Sequence, residues 1–146
     1  MKIPNDIEIY GDTSYRGKCK KEDLEVVDFV SWLKENYRDY HRLLIHPKNE
    51  GKKSAQQRNW DEKMGAFNVG ASDQIIPCLL PFVVEVKREN HAECSITNKQ
   101  LDYLRTAKRN GAFTGIALGS KGLKLAFLEW KSQQDRIMKI WLTMQE

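Results

Sequence analysis

A chain of 146 residues is long enough to bury one core and too short for two ordinary domains, so a single domain over 1–146 is expected. Its three cysteines, Cys19, Cys78 and Cys94, include no C-x-x-C pair, which argues against a disulfide framework or a zinc knuckle and fits a reducing cytoplasm. The net charge of +4 is too mild to name a partner, and no stretch approaches the ~20 apolar residues of a membrane span or has the form of a leader, so a soluble, intracellular protein is expected.

Residues 1–21 carry Pro4, Gly11 and Gly17 with no sustained period and read as an irregular or loosely strand-like arm. From Glu22 to Tyr37, Val26, Val27, Phe29, Val30, Leu33 and Tyr37 recur at helical spacing and predict the first helix. Leu43-Leu44-Ile45 predicts a short strand ended by His46-Pro47. A turn follows over 49–54, and Ser54 is placed to cap a helix from about Ala55 to Met64, with Gly65 as its stop. After a bend at Gly70-Ala71-Ser72, Asp73–Leu80 and Phe82–Lys87 are apolar runs separated by Pro81, the pattern of a tight antiparallel hairpin of central strands. Thr97 is a candidate N-cap for an amphipathic helix through about Arg109, which Asn110-Gly111 would end, and Phe113–Leu118 reads as a buried strand. The tail, 120–146, predicts two helices broken near Ser132. The element order implies an α/β fold, a mixed sheet with helices on both sides.

The chemistry sits on the hairpin. Folding its strands together brings Asp73, at the start of the first, beside Glu85-Val86-Lys87 near the end of the second. Strand alternation points Glu85 and Lys87 to one face and Val86 to the other. Two carboxylates inside apolar runs repel and lose hydration unless compensated, and a divalent cation removes both penalties. Two carboxylates and a backbone carbonyl are the hard oxygen ligands magnesium prefers; a bound cation would polarise a phosphate and acidify a water, and Lys87 could hold that water or neutralise charge on phosphorus. The competing structural reading makes Asp73 the start of a turn and Glu85–Lys87 an ion pair on an edge strand. So loose a spacing does not decide between them.

Asp73, Glu85 and Lys87 resemble the PD-(D/E)XK nuclease signature. More narrowly, His46-Pro47-Lys48-Asn49-Glu50-Gly51-Lys52-Lys53-Ser54, Met64-Gly65, Gly70-Ala71-Ser72-Asp73, Phe82 to Arg88, and Gln100 together resemble the virus-type replication-repair nuclease (VRR-NUC) family over roughly 22–119. The resemblance implies a restriction-endonuclease-like mixed β-sheet flanked by α-helices. It also implies a metal-dependent DNA endonuclease using magnesium, or manganese in its place, on branched or structured DNA, of the junction-resolving type found in phage and bacteria. It makes Asp73 and Glu85 metal ligands, the Val86 carbonyl a third, Lys87 the catalytic lysine and Gln100 a supporting residue. The helix-borne acid of relatives matches Glu22 or Glu25, with Glu22 preferred. Ser72 departs from the family's pattern, where proline stands.

Basic clusters flank this centre: Lys48, Lys52, Lys53 and Arg58 against Glu50, and Lys99, Arg105, Lys108 and Arg109 against Asp102. Asn49, Lys52, Lys53, Ser54, Arg58 and Arg88 are candidate DNA contacts, with the N–H groups after Ser54 as further anion donors. His46 reads as a structural hydrogen-bonder rather than a catalyst. Trp130, Ile137, Ile140, Trp141 and Met144 read as core packing or, more sharply, as a homodimer interface. The main rival function is a non-catalytic DNA-binding protein that keeps the nuclease fold. A nucleotide hydrolase is a weaker rival, because no base-stacking cluster accompanies the acids.

Overall fold

The computed structural model describes residues 1–47, 52–66 and 68–146, in the order β1 (Ile9–Tyr10), α1 (Glu22–Asn36), α2 (Arg38–Leu43), α3 (Ala55–Lys63), β2 (Gln74–Ile76), β3 (Phe82–Lys87), a 3₁₀ turn (His91–Glu93), α4 (Asn98–Arg109), β4 (Phe113–Leu118) and α5 (Gly119–Met144). One four-stranded sheet runs in the order β1-β4-β3-β2. β3 pairs with β4 in parallel and with β2 in antiparallel fashion, and β1 pairs with β4 in parallel. The sheet is mixed, as expected, and β3 is an inner strand.

Pleating gives β3 two unlike faces. Phe82, Val84 and Val86 enter the larger core, with Phe29 and Leu33 of α1 and Leu123, Phe127 and Trp130 of α5. The rings interlock: Phe127 lies with its centroid 4.9 Å from Tyr37, 5.5 Å from Trp130 and 5.8 Å from Tyr40. Trp130 is fully buried and donates its indole N–H to the Leu80 carbonyl at 2.7 Å. Val83 faces the smaller core, built with Leu104 of α4, Ile116 and Leu118 of β4, and Ile7 of the N-terminal arm. Helices therefore cover both faces.

Three sequence expectations are corrected. Leu43–Ile45 is not a strand: Arg38–Leu43 is a short helix, and Ile45 alone bridges to Ile75. The hairpin is not tight, because β2 stops at Ile76; Pro77 has no N–H to continue the ladder, and residues 77–81 form the connection. The arm, read as irregular or loosely strand-like, carries the two-residue strand β1, in keeping with that reading. The tail is one helix of 26 residues with no break at Ser132, and only its first half packs. Trp130 and Gln134 are buried, whereas Ile137, Ile140, Trp141 and Met144 are exposed, so that series is not continuous core. The remaining boundaries agree to within a residue or so. Among the described residues no helix is long and apolar enough to cross a membrane.

Candidate active site

The register of the hairpin sets the site. Gln74 pairs with Val84, so Asp73 and Glu85 each stand one residue beyond that pair, at the point where the β2 ladder ends. The Val86 N–H, left without a strand partner there, donates to Asp73 Oδ2 at 3.0 Å. In an extended strand the N–H and C=O of a residue leave on the same side, so the Val86 carbonyl also faces the Asp73 edge.

Glu85 and Lys87 lie side by side on the smaller-core face, buried to 1% and 5% exposure. Lys87 Nζ is 3.2 Å from Glu85 Oε1. The expected ion pair exists, but on a buried inner strand rather than an exposed edge. Gln100 joins both: its Nε2 donates to Glu85 Oε1 at 2.5 Å, and its Oε1 is 3.5 Å from Lys87 Nζ. That amide is oriented by the start of α4. Thr97 Oγ1 accepts from the Gln100 N–H at 3.2 Å, and Gln100 Oε1 accepts from the Thr97 N–H at 3.0 Å, a reciprocal capping box. With its oxygen facing an N–H and an ammonium, the amide presents its NH₂ to the carboxylate.

Burial, above all, and then the charge of Asp73 push the Glu85 carboxyl up from 4.5 to about 8; Lys87 only partly offsets them, and a hydrogen bond with Asp73 adds to the rise. Without a compensating cation, burial and the neighbouring Asp73 therefore work against a full negative charge on Glu85. Glu85 Oε2 is buried without a hydrogen-bond partner. A carboxylate oxygen left so, next to a second carboxylate, is the donor arrangement a divalent cation satisfies. Among the described residues no three His, Cys, Asp or Glu side chains come together to hold a metal.

A cleft of about 860 Å³ opens beside Asp73, with Glu22, His46, Asp73, Val86, Arg88 and Gln100 in its wall, while Glu85 and Lys87 lie behind that wall. Glu22 and Glu25 separate clearly. Glu22 opens α1 at the cleft, whereas Glu25 is buried and its Oε2 accepts the Ser120 N–H at 2.5 Å, capping the start of α5. His46 Nδ1 lies 2.6 Å from the Asp73 carbonyl, a structural hydrogen bond as expected, and Gln74 Nε2 donates to the same carbonyl at 2.9 Å. Sequence reasoning passed over Gln74 and the clamping role of Thr97. A polar residue opening an apolar run next to the candidate acid was the available signal for the first, and the T-x-x-Q spacing for the second.

The other candidates scatter. Ser54 caps α3 by accepting the Gln57 N–H at 3.1 Å, and Lys53 binds Asp61 at 2.6 Å. Lys52 and Arg58 are exposed, and Arg88 pairs with Glu93 at 3.5 Å. Asn49 and Lys48 fall outside the described residues. In the second basic cluster Arg105 binds Asp6 at 2.6 Å and Lys108 reaches the Asp6 carbonyl at 3.3 Å, so these two tie the arm to α4. The three cysteines are free and half-buried.

Against known proteins, no family model and no curated protein matches the sequence. A solved structure described as a VRR_NUC domain protein superposes with a TM-score of 0.62 at 16% identity, covering 80% of this chain and 90% of its own. The chain shares the VRR_NUC fold. At this identity the likeness carries the architecture, the mixed sheet with helices on both sides. The chemistry rests on the residues themselves.

Proposed function

We propose that the chain is a divalent-cation-dependent DNA nuclease that hydrolyses phosphodiester bonds, with Asp73, Glu85 and Lys87 at its centre. The observation that carries this reading is the Asp73–Glu85 pair, with a buried, unpartnered Glu85 oxygen, a lysine beside Glu85, and Asp73 in the wall of an open cleft. Asp73, Glu85 and the Val86 carbonyl would hold magnesium, or manganese in its place. A bound cation would polarise the phosphate and lower the pKa of a water. Asp73 fixes the end of β3 through the Val86 N–H and offers its second oxygen to the site. Gln100 holds Glu85 and Lys87 in register, and Lys87 places a positive charge where an attacking water or a phosphate oxygen would sit. Glu22 adds a carboxylate to the cleft wall, and Arg88 stands in the same wall to meet the DNA backbone. A pure DNA binder would gain nothing from buried acids facing phosphates.

We further infer that the substrate is branched or structured DNA met in the cytoplasm, and the exposed half of α5 offers a surface for a homodimer. Linear, flapped and four-way DNA incubated with magnesium or with EDTA tests the reading. Cleavage with magnesium only, fastest on the branched forms, is expected; equal cleavage in EDTA, or none on any substrate, contradicts it. Sedimentation as a monomer of 17.0 kDa at high concentration would remove the dimer.

A further inference from the structure

The cleft wall is interrupted by a projecting arm. The chain leaves the wall at His46 and Pro47 and rejoins it at Val69, Gly70 and Ala71, and the described part between them is built around α3. This helix has no extensive packing against any other helix or strand. From 52 to 66 every residue but Asp61 is exposed. Asp61 is held by Lys53 and by Gln57 Nε2 at 2.7 Å, so the arm's shape is set by its own short-range bonds and the Ser54 cap. On it stands Trp60, 59% exposed, and beside Trp60 lies a hollow of about 390 Å³ bordered by Gln56, Asn59 and Lys63. Scattered exposed apolar residues are ordinary on protein surfaces. An indole on a basic, self-supporting arm that joins the cleft wall in sequence at Pro47 and Val69 is different, because it meets charge complementarity to a polyanion and side-chain amides that pair with base edges.

We propose that Trp60 is a stacking platform for an unpaired nucleobase of DNA, making the α3 arm the element that distinguishes branched or single-stranded DNA from continuous duplex. The inference rests on reading the cleft as a DNA site. In a continuous duplex the bases are stacked on one another and present no free face to the indole; at a flap, fork or frayed end they do. Lys63 next to the hollow, with exposed Lys52 and Arg58, supplies the backbone attraction that brings the strand to the ring.

The test uses the full chain in EDTA, with anisotropy-measured affinity for a duplex, the same duplex carrying a single-stranded flap, and the flap strand alone. Trp60→Ala should weaken flap and single-strand binding about tenfold and duplex binding less than about twofold, with Trp60→Phe restoring most of the loss. Equal weakening on all three DNAs, or no change on any, overturns the proposal, as does a shift in the sedimentation of DNA-free Trp60→Ala, which would assign the ring to a contact between copies. Cleavage in magnesium separates the two readings. Wild-type protein that prefers flaps through Trp60 but cuts nothing sinks the nuclease and leaves the platform, whereas a magnesium-dependent nuclease whose preference ignores Trp60 sinks the platform alone.

Discussion

One strand carries both the firmest packing and the chemistry, on opposite faces. Toward α1 and α5, β3 presents Phe82, Val84 and Val86 to interlocked rings whose polar atoms are few and bonded, as Trp130 is to Leu80. Toward α4 it presents Val83, Glu85 and Lys87, where a carboxylate oxygen lacks a partner and a carboxyl is driven up to about 8. The first face is consistent at every level, and the second violates the rule that buried polar groups be satisfied. A fold tolerates such a violation when a rigid neighbour holds it in place, which is what the aromatic face and the Thr97–Gln100 clamp provide.

Substitutions on the two faces should separate activity from stability. On the polar face, Asp73→Ala or Glu85→Ala should reduce magnesium-dependent cleavage by about a thousandfold or more while circular dichroism shows a folded protein, since a charged oxygen ligand is lost from a site with few. Full magnesium-dependent cleavage by either variant would refute the site. On the packed face, Trp130→Ala should cost about 3–5 kcal/mol of unfolding free energy in denaturant titrations, and cleavage should persist wherever the variant stays folded. Thr97→Ala straddles the comparison: the lost cap should cost about 1 kcal/mol, and cleavage should fall as well because Gln100 is released. An Ala variant that loses stability but no activity would make the clamp purely structural.

The pH dependence of the metal-free protein is the mildest effect and has a definite sign. Glu85 titrates near 8 in the fold against 4.5 unfolded, so the folded state binds the extra proton. Its contribution to stability is complete below about pH 4.5 and is lost as pH rises toward about 8. Melting temperatures between those limits should fall more steeply for the wild type than for Glu85→Gln; parallel slopes would show that Glu85 does not hold the proton.

The legible parts of the fold were those set by local signals. Thr97, Ser54, Gly65 and Asn110-Gly111 are caps and stops that act within a turn, and α3 and α4 begin where they predict. Phe82–Lys87 and Phe113–Leu118 are continuous apolar runs that only inner strands explain. The misread parts depend on tertiary context. Leu43 and Leu44 look like a strand, but Tyr40 and Leu44 pack against the aromatic core from a helical turn. Ser132 looks like a break, yet a polar residue on the open side of a helix interrupts nothing. At the site, alternation placed Glu85 and Lys87 together. Sequence could not separate Glu22 from Glu25, one turn apart on one helix, because the distinction lies in where α5 begins.

Whether the polar face of β3 is a cation site is decided by calorimetric titration of manganese into DNA-free protein at neutral pH. Wild-type protein should bind the ion at one class of site, and Asp73→Ala and Glu85→Gln, both folded, should each lose at least about tenfold in affinity. Wild-type affinity retained in both variants would contradict the claim and return Asp73 and Glu85 to a structural role.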